Sequence, residues 1–368
     1  MSGAEQITGT VGEWSEIYAL IKLLGEGKVY AGDQNLEKIK DLFYPIVMII
    51  RQEKSNVYNY KVVNPDIVIA TPEGWELLRL PSAEFLKQAE SLLGAIQHKP
   101  AGERSFPVAK TQAFMDKIYC QTLKASSSDK TDIHIILHDQ RTKMDKTMGF
   151  SIKSQLGGDS TLLNASCATN FVYRIEGARF TDQEIEKINA IATRSKIIDR
   201  IEAIRSKGAD LVFDHVDNDT FRKNLQMLDG DLAAIVAQLL VEQFNTGTRM
   251  FDELVKALAK TNPCGFDKED AEGMYVYKLK HLLTSAALGM MPSKKWSGRY
   301  DANGGYLVVK KDGEILCYHF YDKNLFEDFL FKNAYLERGK TRKHDYAYLY
   351  RGADGSLYFK LNLQIRLR

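Results

Sequence analysis

The sequence predicts an α/β (α+β) fold: a mixed sheet flanked by helices, with a helical insertion and a β-rich C-terminal region. Three observations predict it. Helical and strand patterns alternate up to about residue 180, helical periodicity alone runs through 181–290, and short aromatic-rich segments separated by glycine turns fill 291–368. These limits divide the chain into three parts, 1–180, 181–290 and 291–368. A length of 368 residues suits two domains, or one with a large extension.

Apolar residues at helical spacing (Trp14, Ile17, Ala19, Leu20, Leu23, Leu24) predict a first helix over 13–24, with Gly25 ending it. A second helix is expected over 36–51. A strand over 62–70 runs into the turn Thr71-Pro72-Glu73-Gly74, and helices follow over 82–97 and 110–122. After the polar stretch 125–130, an apolar-rich strand covers 132–138. A charged turn over 140–147 joins it to a second strand over 149–155, which makes a β-hairpin. Thr181-Asp182-Gln183-Glu184 is a capping box that opens a helix to about residue 205. Helices then cover 231–244, 250–260 and 269–288. Strands are expected over 305–310, 315–321, 346–351 and 356–365, with a helix over 325–333 between them. Lys311-Asp312-Gly313 and Gly352-Ala353-Asp354-Gly355 supply hairpin turns.

Apolar residues make up 44% and charged residues 27%, as in an ordinary globular protein. No apolar run is long enough to cross a bilayer, and the first six residues do not read as a signal peptide. Four cysteines lie far apart without a CxxC pair, which suits reduced thiols in a cytoplasm rather than a zinc site or a disulfide framework. Net charge is only +2, but its distribution is uneven: from Glu337 onward eight Lys/Arg face three acids. Lys294, Lys295 and Arg299 form another basic cluster. Positive charge beside aromatic residues suits a phosphate backbone; on a solvated edge hairpin it would have no such role.

Phosphodiester cleavage needs an activated water and stabilised charge on the phosphate. Carboxylates holding Mg²⁺, with a lysine nearby, supply both. The usual layout is an acid on one strand and acid-x-Lys on its neighbour, because strand residues two apart share a face. Here Asp132 heads a strand, and nineteen positions on come Ser151 and Lys153, with Gln155 extending their face. Glu16, with Glu13 one turn before it, offers a further acid from the first helix. Ser151 stands where the pattern wants an acid, so Glu16 must supply the missing charge and the Ile152 carbonyl another ligand. Asn64-Pro65-Asp66 has the more literal Pro-Asp form, but Leu78, two residues after its Glu76, stands where the lysine should be. Seven histidines show no zinc spacing, and neither a P-loop nor a G-x-S-x-G elbow occurs.

Gly12-Glu13-Trp14-Ser15-Glu16-Ile17-Tyr18 and Lys28-Val29-Tyr30-Ala31-Gly32-Asp33 resemble the N-terminus of the HpaII-type restriction endonucleases. The block from Gly149 to Gly157, its continuation Ser160-Thr161-Leu162-Leu163-Asn164-Ala165-Ser166 and the terminal Phe359-Lys360-Leu361-Asn362-Leu363-Gln364-Ile365-Arg366 are similar as well, so the resemblance covers nearly the whole chain. It implies a type II enzyme with a PD-(D/E)XK nuclease core in 1–180. It also implies Mg²⁺-dependent double-strand cleavage of DNA at CCGG, after the first C, and a companion cytosine DNA methyltransferase that blocks cutting. A palindromic target implies a homodimer, or a monomer that nicks each strand in turn.

On this reading Asp132 and Glu16 hold the metal, Lys153 orients or helps deprotonate the attacking water, Gln155 positions water or substrate, and Ser151 has a minor part. Asn164, Ser166, Thr169 and Asn170 follow the catalytic strand and are expected near DNA. Arg338, Lys340, Arg342, Lys343 and His344 are expected to clamp phosphates or bases. A sequence-specific binder without cleavage is the competing expectation, because of Ser151, and a nuclease of other specificity is a further alternative.

Overall fold

Thr10 caps the first helix, α1 (Val11–Glu26), through a reciprocal capping box with Glu13. The helix ends at Gly27, whose φ of 63° places it in the left-handed region while its N–H bonds to Leu23. Gly25, expected to stop the helix, lies inside it. A Cβ there would stand 2.8 Å from the Leu86 side chain, so the glycine permits close approach of α2 (Ser82–Gln97). The Trp14 indole donates to the Phe106 carbonyl at 2.9 Å and fixes the buried end of α1. A third helix, α3 (Ala109–Lys117), packs beside α2. The structure is a computed structural model and describes residues 6–124, 131–139 and 143–368. The first residues of the chain, the polar stretch 125–130 and part of the charged turn, 140–142, lie outside the described residues.

Nine strands form the main sheet: β1 (Lys28–Gly32), β2 (Lys38–Gln52), β3 (Val57–Val63), β4 (Asp66–Ala70), β5 (Glu76–Pro81), β6 (Ile133–Asp139), β7 (Met144–Ser154), β8 (Gly305–Val309) and β9 (Ile315–His319). Their order is β1-β9-β8-β7-β6-β2-β3-β4-β5, and β1 also pairs with β2, so the strand order returns on itself. The sheet is mixed, as expected: β7 is antiparallel to β6 and parallel to β8.

The helix expected over 36–51 is instead the long strand β2. Its run Ile46-Val47-Met48-Ile49-Ile50 is rich in β-branched side chains, and Pro45 has no N–H for a helix interior. Likewise 62–70 is a β3–β4 hairpin rather than one strand, and the single helix expected from 181 to 205 is two, Asp182–Ala190 and Lys196–Arg205. Period-two alternation sends Ile133, Ile135 and Leu137, with Phe150, Ile152, Leu307 and Val309, into one core shared with Trp14, Ile17, Phe85, Leu92 and Phe114.

The chain divides into two compact units. The first runs up to Ser160 and includes Tyr300–Phe329; the second is Thr161–Arg299 with Leu330–Arg368. The three-part division therefore needs correction: the β-rich region 291–368 is shared out, because β8 and β9 pair with β7 and β1 of the first unit. In the second unit, strands 210–216, 170–176, 357–362 and 349–351 form a four-stranded sheet in that order. The helix Leu232–Thr246 packs on this unit's strands, with the Tyr173 hydroxyl bonded to the Ala237 carbonyl at 2.7 Å.

Candidate active site

Asp132 stands just before β6 and is tied to β7 at both ends of the residue. Its N–H donates to the Phe150 carbonyl at 2.9 Å. Its Oδ2 accepts from the Ser151 hydroxyl at 2.9 Å and from the Ile152 N–H at 2.7 Å. Ser151, buried in β7, therefore has a definite task where an acid was expected: it orients the Asp132 carboxylate. The Ile133↔Phe150 register brings the two residues together across the hairpin. Gly149 allows the turn of chain before Asp132 to close in, since a Cβ there would meet Thr131 at 2.7 Å.

Glu16 reaches the same charges from α1. The face of α1 is set by Ser15, whose hydroxyl lies 2.8 Å from that of Ser154 at the end of β7. Glu13 does not join Glu16. It is committed to the helix cap, receiving the Thr10 N–H and hydroxyl at 2.8 Å each, and it meets Lys124 at 3.5 Å. Burial raises the Glu13 carboxyl, but the Thr10 bonds and Lys124 outweigh it and leave the group below its ordinary range. Glu16 goes the other way. Burial and the neighbouring Asp132 charge push it up to about 8, against the pull of Lys124 and Arg51.

Lys153 is half-buried on the β7 face opposite the core. Burial holds its amine below the usual lysine range, opposed by Asp132 and Glu16. Its Nζ sits 4.9 Å from the centre of the Tyr306 ring. Tyr306 is buried in β8, where the parallel register places it beside Ser151 and places Val308 beside Lys153. Burial, then the Asp132 charge, raise the Tyr306 phenol well above its normal range, so it is neutral and offers the cation an aromatic face. Sequence reasoning missed Tyr306. The only signal was an aromatic at the head of a predicted strand, with nothing to say which strand it joins. Gln155 extends the β7 ladder by donating its N–H to the Val309 carbonyl at 2.8 Å.

The donor set fits a hard divalent cation. Asp132 and Glu16 are oxygen donors, and the proton that Glu16 retains is what a nearby cation would displace. Among the described residues no group of three His, Cys, Asp or Glu gathers at one point. Asp132 and Glu16 could supply two carboxylates to such a cation, and the rest of its shell would have to come from water, backbone or substrate.

Asp66, the literal Pro-Asp acid, begins β4, with β2 and β3 between it and β6. It faces Arg79 at 3.7 Å. Of the residues expected near DNA, Asn164 is exposed and Ser166 caps a single 3-10 turn by accepting the Ala168 N–H. Thr169 and Asn170 correct the expectation, since both are fully buried. The Asn362 amide donates to the Ser166 backbone carbonyl, the Thr169 hydroxyl and the Asn170 side-chain oxygen Oδ1, while the Asn170 side-chain amide donates to the His344 carbonyl at 2.9 Å. They knit the segment to the C-terminal strands rather than face outward. Lys340, Arg342 and Lys343 are exposed, Arg338 and His344 half-buried. Burial, then Lys343, keep the His344 ring below its ordinary pKa.

No helix among the described residues is long and apolar enough to cross a membrane. No solved structure matches the chain. A curated relative, named as the type II restriction enzyme HpaII of Haemophilus parainfluenzae, is 40% identical over 362 residues, covering 98% of this chain and 99% of the relative. The family model described as HpaII restriction endonuclease matches residues 10–367. The chain belongs to the HpaII restriction endonuclease family, and by that membership it is a type II restriction enzyme.

Proposed function

We propose that the protein makes Mg²⁺-dependent double-strand breaks in DNA at CCGG, from a PD-(D/E)XK-type site built on β6, β7 and α1. The observation that carries this reading is that Asp132, Glu16 and Lys153, two carboxylates and a lysine from three separate segments, lie near enough to shift one another's titration, with Asp132 fixed on β7 by Ser151 and Ile152. Asp132 and Glu16 would hold the cation, with the Ile152 carbonyl as a further donor. The bound metal supplies Lewis-acid activation of water and phosphate. Ser151 fixes the Asp132 carboxylate. Lys153, its amine made easier to deprotonate by burial, orients the attacking water or takes its proton and stabilises charge growing on the phosphate. Gln155 holds water or substrate by hydrogen bonding.

Asn164, Ser166 and the 338–344 segment supply DNA contacts. The chain acts as a homodimer on its palindrome, in the cytoplasm, beside a cytosine methyltransferase that protects the host's own sites. CCGG is what the resemblance of the sequence blocks to the HpaII-type enzymes implies. The test is a digest of phage DNA with Mg²⁺ and with EDTA, followed by sequencing of the fragment ends. Ends that all map to CCGG only when Mg²⁺ is present are the expected result. Shifted but uncut DNA would instead make this a binding protein, and ends at another sequence would remove the specificity.

A further inference from the structure

The second unit holds a cleft of about 400 Å³ whose walls are 194–197 and 338–342. Five cationic side chains line it (Arg194, Lys196, Arg338, Lys340 and Arg342), and no acid does. Several basic residues elsewhere on this unit have an acid beside them: Arg174 has Glu176, Arg205 has Asp210, Lys207 has Glu184 and Lys360 has Asp217. In the cleft, Arg194, Lys196 and Lys340 have no ion pair among the described residues. Asp199, in the first turn of the helix Lys196–Arg205, bonds to Thr193 and Ser195 and does not line the cleft.

Both walls are held in place. Arg200 is buried and donates to the carbonyls of Ala347, Asn189 and Ile191 at 2.6, 2.6 and 2.7 Å, riveting the helix to the chain that follows Arg342. The Arg338 guanidinium rests 5.0 Å from the centre of the Phe244 ring, and its buried Nε has no hydrogen-bond partner among the described residues. Burial and Arg249 hold its pKa down. Like charges fixed in one concavity repel, and an anion entering between them relieves that repulsion.

The geometry points to this cleft as a seat for a DNA backbone phosphate, with Arg194 and Lys196 as phosphate-binding residues that complete the basic segment 338–342. The concavity decides between phosphate and base. A base edge lies at the floor of a groove and is read by side chains that project, whereas a phosphate projects from the duplex and enters a hollow. The inference rests on DNA being the substrate.

The test compares wild type, Arg194→Ala/Lys196→Ala and the charge-keeping Arg194→Lys/Lys196→Arg. Binding is read by fluorescence anisotropy with two labelled duplexes, one carrying CCGG and one not, in EDTA across a salt series. Each lost phosphate contact lowers the slope of log affinity against log salt by about one. The alanine pair is expected to lower it by about two on both duplexes, and the charge-keeping pair to restore it. An unchanged slope, or a loss confined to the CCGG duplex, overturns the phosphate assignment while wild-type binding leaves the DNA reading intact. Wild type that binds neither duplex sinks the DNA reading itself, and this inference with it.

Discussion

Asp132 and Asp66 are two aspartates at the head of strands in one sheet, and only their surroundings differ. Asp66 has the proline before it and the apolar strand after it, yet it sits toward the outer end of the strand order with Arg79 as its counter-ion. Asp132 lacks the proline. It lies at the middle of the order, fixed by Ser151 and Ile152, and it shifts the titration of Glu16 and opposes that of Lys153. The difference teaches that a candidate carboxylate is better judged by what the sheet brings to it than by the tripeptide around it.

The comparison breaks outright if the two aspartates exchange importance. Asp132→Ala and Lys153→Ala are each expected to cut cleavage by about a thousandfold or more, with binding of a CCGG duplex kept, because each removes charge stabilisation at the reacting phosphate. Single-turnover cleavage alongside a binding titration measures both; near wild-type cutting by Lys153→Ala would sink the assignment.

A second measurement separates burial from mutual charge. His319, at the end of β9, is buried against the Phe150 ring, and burial lowers its pKa to about 4 against weaker opposing pulls from Asp322 and Asp139. Its Nδ1 accepts the Tyr321 N–H at 2.8 Å, so the neutral ring carries its proton on Nε2, toward the Met148 sulfur. The folded pKa lies below the unfolded one, so the unfolded chain binds the extra proton. Stability is then complete above about pH 6.5 and falls as pH drops toward 4, by on the order of 3 kcal/mol. Urea melts from pH 7 to 4.5 should show a shallower fall for His319→Gln than for wild type; equal slopes would remove His319 as the cause.

Tyr306 sharpens the contrast further. Replacing the ring by Leu is expected to lower cleavage about tenfold and to move the basic limb of its pH profile, while Tyr306→Phe stays near wild type, in line with the worth of a buried cation–π contact. If Leu and Phe behave alike, the ring does not position Lys153. The smallest effect belongs to Asp66→Ala, expected within about twofold of wild type because an exposed ion pair contributes little. A large loss in the same cleavage assay would promote Asp66 and undo the comparison.

Much of the site was legible in the sequence because it is local. The hairpin that joins Asp132 to Ser151 and Lys153 needs only two short strands and a turn, and period-two spacing gives their faces. Glu16 was legible only as an acid on an amphipathic helix. Its influence on Asp132 depends on how α1 seats, and the contact of that helix with the end of β7 is made by Ser15 and Ser154, unremarkable residues in the sequence. Tyr306 was not legible, because a parallel pairing between strands this far apart leaves no short-range trace. The strand β2 was misread for a different reason: its apolar residues populate both faces, so helical spacing could be found in it, and Pro45 was the contrary signal. Thr169 and Asn170 were misplaced since polarity was taken for exposure; Asn362 gives them partners inside the protein.

The return of the chain to the first unit has a consequence for how the protein is made. A ribosome delivers Asp132 and Lys153 early, then spends the whole of 161–299 on the other unit before β8 and Tyr306 emerge to lie beside β7. Until then the flank of β7 that β8 will cover is open, and the lysine has no ring beneath it. The nascent chain therefore carries the proposed cutting residues as an unfinished set, and assembly of the candidate site waits for synthesis to pass residue 309.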